Sequence, residues 1–255
     1  MKNLMVLNHR PTSRFTVESL ELLAKVQIEN SIDLGWRPKD ILLFSNVDID
    51  YLGVKSIKTD LNDFCLTGSK MFAVQHALKD HDDIIWAHDL DAWQNVWFYP
   101  PKFKDVGIAC YSNKKLNGGS VFWKRSSADM VDEVVKSLRE NNESREEPTL
   151  NKILKQNQFK DRTTVINHTF NVGCSGYAVR YDKALKPIHV CHLHPTNFIA
   201  WETHVLDRSG MGTTLTPRLE KLLRTYYPAC ATELSDKGKR RRKEKIKERE
   251  HGKRK

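Results

Sequence analysis

Nowhere in this 255-residue chain does an apolar stretch approach the roughly 20 residues that a membrane-spanning helix requires, so no bilayer-embedded segment is expected. Cysteine is scarce: Cys65, Cys110, Cys174, Cys191 and Cys230 are scattered, odd in number and nowhere spaced C-x-x-C. That argues against a zinc module and fits a reducing compartment. No internal repeat is visible, which sets aside solenoids and propellers. The opening run Met1 to Leu7 is cut off by Asn8-His9-Arg10 and is too short for a signal-peptide core. The expectation is a soluble protein of the cytoplasm (the host's, if the chain is viral).

Against these absences stand a hydrophobic fraction of 39% and six Trp, enough for a folded core. The length suits a single α/β domain, placed at residues 1–230. The formal net charge of +10 is unevenly spread. From Ser235 to Lys255 there are twelve Lys or Arg against four Asp or Glu, a net of +8, leaving 30 against 28 elsewhere. The body is nearly neutral and residues 235–255 form a low-complexity basic tail, disordered or a solvated helix. Such a tail attracts phosphates at long range and makes DNA the favoured partner, a solubilising end and a membrane-surface contact being the competing readings. It has no interleaved aromatics for base stacking, so sequence-specific readout is not expected.

Along the chain, Leu4 to Leu7 reads as a first strand, and Thr16 to Leu34 as a helix with apolar residues at helical spacing, ending near Gly35. Ile41 to Phe44 and Val54 to Ile57 are further strands. Gly68-Ser69-Lys70 opens a helix through Lys79, and Ile84 to Ala87 is the next strand. This alternation predicts a mostly parallel sheet with helices on both faces, and ligands in such sheets bind at the carboxyl ends of the strands. The second half is less regular. Val106 to Tyr111 and Ser120 to Trp123 read as strands separated by a small-residue loop, Asn117-Gly118-Gly119. A helix over Ala128 to Glu140 follows, then helical Leu150 to Leu154 with Pro148 near its first turn. Val165-Ile166, Ala178-Val179 and Ile188 to Cys191 read as short strands, and apolar periodicity stops after Pro228.

The strongest local feature is Asp83 to Trp93, a buried-strand pattern that ends in Asp89-Leu90-Asp91. Strand residues at i and i+2 share a face, so two hard oxygen ligands are expected side by side at the sheet edge. That pairing suits Mg²⁺ or Mn²⁺ shared with a diphosphate. D-x-D alone is common by chance; the apolar strand before it and the flanking Trp86 and Trp93 raise its weight.

In the order of these parts, from about Met1 to about Trp201, the chain resembles the GT-A glycosyltransferases. The parts are donor-binding strand ends, a basic residue opening the helix before the metal strand (Lys70), the D-x-D, a small-residue segment, an acidic helix start and a late histidine-bearing strand. Asn117-Gly118-Gly119 and Glu147-Pro148-Thr149-Leu150-Asn151 are similar to the Asn-x-Gly and Asp-Gln…Asn segments of the glycogenin-like family, whose Lys-Pro-Trp after the histidine is absent here. The resemblance implies a GT-A (Rossmann-like) fold. It also implies a nucleotide-sugar donor, expected to be a UDP-sugar, and a Mn²⁺ or Mg²⁺ ion held by Asp89 and Asp91. A late histidine is implied as a further ligand. Within Ile188 to Pro195, His192 and His194 share a strand face and are favoured, with His189 as a rival.

Asn8 and Arg14, after the first strand, and Lys70, Gly118 and Gly119 are the expected donor-binding residues, with Asn117 beside them. Lys70 or Arg14 would set a fixed positive charge beside the phosphates, and the two glycines would admit a sugar close to the backbone. An ordinary surface cation and a plain turn are the competing readings. Asp91 and Glu147 are the catalytic candidates, Glu147 as contact to the donor sugar or base on the acceptor hydroxyl. A helix-start carboxylate favourable to the macrodipole explains Glu147 nearly as well, and Glu143 and Glu146 are neighbouring alternatives. Asn171-Val172-Gly173 is assigned to the acceptor side. The expected acceptor is DNA bearing hydroxymethylated pyrimidines, as for small phage-type base glycosyltransferases. The alternatives are a glycan or protein acceptor, or a non-catalytic nucleic-acid-binding α/β protein.

Overall fold

The computed structural model describes residues 1–10, 15–59, 68–111, 114–140, 146–173, 177–193 and 215–232. Arg14, His194 and the basic tail 235–255 lie outside the described residues. In the first half β1 (Lys2–Leu7), α1 (Val17–Asp33), β2 (Ile41–Ser45), β3 (Asp50–Tyr51), β4 (Val54–Lys55) and β5 (Ile57–Lys58) lead into α2 (Ser69–Asp80). They are followed by β6 (Ile85–His88), β7 (Ala92–Gln94), β8 (Val106–Cys110) and β9 (Leu116–Trp123). The second half adds α3 (Ala128–Glu140), α4 (Glu146–Ile153), α5 (Asn157–Lys160), β10 (Thr163–Val165), β11 (Val172–Gly173), α6 (Tyr177–Lys183), β12 (Val190–His192) and α7 (Pro217–Thr232).

Among the described residues the central sheet has seven strands in the order β10-β8-β9-β6-β1-β2-β5. Its neighbours run parallel except β9, which is antiparallel to both β6 and β8. A sheet covered on both faces needs apolar side chains in both directions, and the strands show this alternation. Leu4, Ile85, Ala87, Val121 and Trp123 point into the core beneath α2, α3 and α4. Met5, Leu7, Trp86 and Phe122 point into a second core with Ala24 and Ile28 of α1. The expected α/β class with helices on both faces is what the chain adopts.

Helix ends follow local chemistry. The Thr16 side chain accepts the Ser19 N–H and caps α1, and Gly35, at φ +98°, ends it in the left-handed region. The expected strand Val54 to Ile57 is instead two short strands on either side of Ser56. β4 pairs back on β3 through a turn with Leu52 at φ 50° and Gly53 at φ 79°, whereas β5 joins the main sheet. Ala178-Val179, expected as a strand, lies inside helix α6, since two adjacent apolar residues carry no periodicity to separate the states. Helix α7 was not foreseen and continues past Pro228. Its signal was present: Thr216 before Pro217, then Leu219, Leu222, Leu223 and Tyr226 at helical spacing, packed with Leu23 and Val26 of α1.

At the far end of the sheet Arg162 clamps Asp105 (2.6 Å) and Asp129 (2.6 and 2.9 Å). Burial pushes Asp105 up, but hydrogen bonds from Ser126 and Arg162 and the guanidinium charge outweigh it and lower its pKa. The bonds from Arg162 likewise lower Asp129. Carboxylates with depressed folded-state pKa values add stability above their unfolded pKa of about 4, and that stability is lost as pH falls below it. Arg162→Met is therefore expected to cost about 1–2 kcal/mol at pH 7, partial exposure screening the pairs. Urea unfolding at pH 7 and pH 3 checks this; a deficit that does not shrink at pH 3 contradicts the ion-pair account.

Candidate active site

The carboxyl ends of β1 and β6 open into a cleft of about 500 Å³ lined by Asn8, Lys70, Asp89, Asp91, Asn117, Gly118, Gly119, Glu146, Glu147, Arg180 and His192, among others. Topology gathers these distant segments. β9 runs antiparallel to β6 with His88 opposite Ser120, so the start of β9 lies at the edge where β6 ends. The Asp89 N–H donates to the Gly119 carbonyl at 3.0 Å.

Asp89 and Asp91 meet differently from the expected pleat alternation. β6 stops at His88, and the Ala92 N–H donates to the Asp89 carbonyl at 2.9 Å, closing a turn over Asp89 to Ala92. The turn folds the two carboxylates towards one another and starts β7. β12 pairs antiparallel with β7, His192 opposite Ala92, and the Leu193 N–H donates to the Asp91 carbonyl at 2.8 Å. This register carries the His192 ring to Asp91, with Nε2 3.0 Å from Oδ1 and 3.6 Å from an Asp89 oxygen. Asp89, Asp91 and His192 offer ligand atoms that all lie within 4.8 Å of one another. His189, the rival, is turned away and packs on Phe98 and Phe170.

The small-residue segment is not a loop. Asn117, Gly118 and Gly119 lie inside β9, and the glycines are there for space. A Cβ at Gly119 would sit 2.3 Å from two atoms of the His192 ring. One at Gly118 would meet Glu146 Oε1 at 3.1 Å and Leu150 at 3.3 Å. Asn117 accepts the Gly119 N–H at 2.9 Å, fixing the segment.

Lys70, at the start of α2, reaches across the cleft floor. Its Nζ donates to Asp89 Oδ1 (2.5 Å) and to the Gly118 carbonyl (2.7 Å), and lies 3.3 Å from Glu146 Oε1. Burial alone would lower the ammonium's pKa, but the charges of Asp89 and Glu146 outweigh it and raise it, so Lys70 stays cationic. Burial pushes the Glu146 carboxyl well above the usual carboxylate range, against the pull of Lys70. Glu147, the sequence candidate, is more open; it accepts from Tyr111 Oη at 3.0 Å and pairs with Lys115 at 3.2 Å. Burial and then Glu147 push the Tyr111 phenol up to about 12, so it remains a donor. His88, buried in the cleft wall, is neutral, burial lowering it to about 4.

Asn8, Lys70, Asn117, Gly118, Gly119 and Glu147 thus surround the Asp89, Asp91 and His192 group. Gly173 also lines the cleft, while Asn171 is buried behind it. Tyr111, Lys115 and Arg180 were not singled out from the sequence. None of the three belongs to a motif, and only the fold brings each to the cleft.

The sequence matches no protein-family model and no curated protein. Among solved structures the chain is similar to the glycosyltransferase GlyE of Streptococcus pneumoniae TIGR4, with TM-score 0.54 and 12% identity over 91% of this chain and 62% of that one. It is also similar to the bifunctional glycosyltransferase WbbM, with TM-score 0.50 and 10% identity over 88% of this chain and 51% of that one. The chain therefore spans about three-fifths and half of these two proteins. At such identities the likeness is one of fold: a mixed α/β, Rossmann-like architecture that the chain shares with these two glycosyltransferases.

Proposed function

We propose that the chain is a metal-dependent glycosyltransferase that moves a sugar from a nucleotide-diphosphate sugar, with UDP as the nucleotide, to a hydroxyl acceptor. The observation that carries this reading is the convergence of Asp89, Asp91 and His192 at the strand ends of the cleft. Two carboxylates and one imidazole form a donor set that suits Mn²⁺, and Mg²⁺ with the carboxylates alone. Gly119 leaves the room in which the imidazole sits, so the chain fits such an ion. When bound, the ion supplies Lewis-acid stabilisation of a departing diphosphate.

The chain's own residues divide the remaining work. Lys70 holds Asp89 in place and balances the carboxylates of the cleft. Gly118 lines the cleft and leaves the room in which Glu146 sits, which places that carboxyl as a partner for a sugar hydroxyl. Glu147, positioned by Tyr111 and Lys115, is the base or sugar contact. For the acceptor we favour hydroxymethylated pyrimidines in DNA, supported by the net +8 of residues 235–255.

The test is transfer of radiolabelled sugar from UDP donors to hydroxymethylated and plain duplex DNA, with Mn²⁺ or with a chelator. Label on modified DNA alone, lost with chelator, is expected. Transfer only to glycan or protein acceptors would overturn the DNA assignment. Absence of both nucleotide binding and donor turnover, across nucleotide donors, would overturn the enzyme reading in favour of a nucleic-acid-binding protein.

A further inference from the structure

Three cations line the cleft with the four carboxylates, and they are held in different ways. Lys70 is committed to Asp89 and Glu146, and Lys115 to Glu147. Arg180, in α6, is 1% exposed, yet it belongs to the cleft lining on the side of His192 and Gly173. Its Nη1 donates to the Asn171 carbonyl at 3.3 Å, and its guanidinium carbon lies 5.1 Å from the centre of the Tyr111 ring. Arg180 Nη2 would be 2.9 Å from a Cβ at Gly173, and Gly173 stands in register with His192. The missing side chain at Gly173 is what lets the guanidinium come up beside the strand that carries His192.

We propose that Arg180 binds the anionic oxygens of the donor's diphosphate beside the Asp89, Asp91 and His192 group. This rests on the nucleotide-sugar reading and adds to it a residue with no sequence motif. A guanidinium remains charged when desolvated and presents a planar fork that matches phosphate oxygens two at a time. It is also more weakly hydrated than an ammonium, which makes burial against a ring face tolerable. Lys70, expected from the sequence to face the phosphates, pairs with two carboxylates in the cleft. A fixed donor beside the departing diphosphate stabilises the charge that grows there without reorganising at that moment.

The experiment is calorimetric titration with Mn²⁺ alone, with Mn²⁺ and pyrophosphate, and with Mn²⁺ and UDP. The proteins are the wild type, Arg180→Met, Arg180→Lys and Gly173→Ala. Arg180→Met should weaken pyrophosphate and UDP at least about tenfold, the scale of one charged hydrogen-bonding partner, and leave Mn²⁺ alone within about twofold. Arg180→Lys should restore part of the loss. Gly173→Ala keeps the arginine but crowds its Nη2 at 2.9 Å, the His192 carbonyl and Cβ lying farther at 3.3 and 3.4 Å, so it should show a smaller loss of the same kind even if Arg180→Met fails to fold. Wild-type pyrophosphate affinity in a folded Arg180→Met protein would overturn the proposal, as would an equal loss of Mn²⁺ alone, or no loss in Gly173→Ala where Arg180→Met is unfolded. If the wild type binds none of these ligands, the donor reading itself falls.

Discussion

Asp91→Asn is expected to reduce donor turnover about 10³-fold. The carboxylate and the His192 imidazole face each other at 3.0 Å, and an amide offers a metal no negative charge. Lewis-acid stabilisation of a leaving diphosphate is worth several kcal/mol, and each 1.36 kcal/mol is tenfold in rate, so about 10³ is the natural scale. Asp91 lies in a turn at the cleft rather than in the core, so the fold should survive the substitution. Hydrolysis of UDP-sugars measured against Mn²⁺ concentration provides the check. Turnover within tenfold of wild type, with unchanged Mn²⁺ affinity, would contradict the metal-site assignment.

Gly119→Ala should be nearly as damaging, though it adds a single methyl group. The new Cβ would lie 2.3 Å from Cε1 and Nδ1 of His192, less than any real Cβ contact. The ring is buried and tied by Nε2 to Asp91, so it cannot swing aside as the end of a surface chain would. Overpacking of this kind costs about 1–3 kcal/mol of stability, and displacing the ring should weaken Mn²⁺ at least about tenfold. Gly118→Ala is the comparison: its Cβ meets Glu146 and Leu150 at 3.1 and 3.3 Å, a strain the neighbours relieve by small shifts. Thermal unfolding and Mn²⁺ titration of the two variants test the difference. Equal, mild effects at both positions would mean that His192 does not sit where the structure places it.

Much of the scaffold was legible because its signals are local. The helical repeat from Thr16 to Leu34, Gly35 after it, and the apolar run ending at Asp89 each act within a few residues. The region after Val165 was harder. β11 and β12 are two and three residues long, too short for any periodicity, and α6 carries only seven. Even where a position was legible, its cause differed. Asp89 and Asp91 approach through a turn rather than a shared pleat, and Gly118 and Gly119 make room within a strand rather than form a loop.

The sequence by itself determined the α/β alternation, the strand end that bears the two aspartates, and the separation of a nearly neutral body from a basic tail. These follow from hydrophobic period, chain breakers and charge counts, which are properties of neighbouring residues. Only the tertiary structure brought His192 to Asp91 and turned His189 onto Phe98 and Phe170, committed Lys70 to Asp89 and Glu146, and brought Arg180 and Tyr111 to the cleft. Those outcomes depend on pairing between segments up to about a hundred residues apart, as His192 and Asp91 are. Strand register and the space left by a glycine set such contacts, and neither is written in the spacing of one segment.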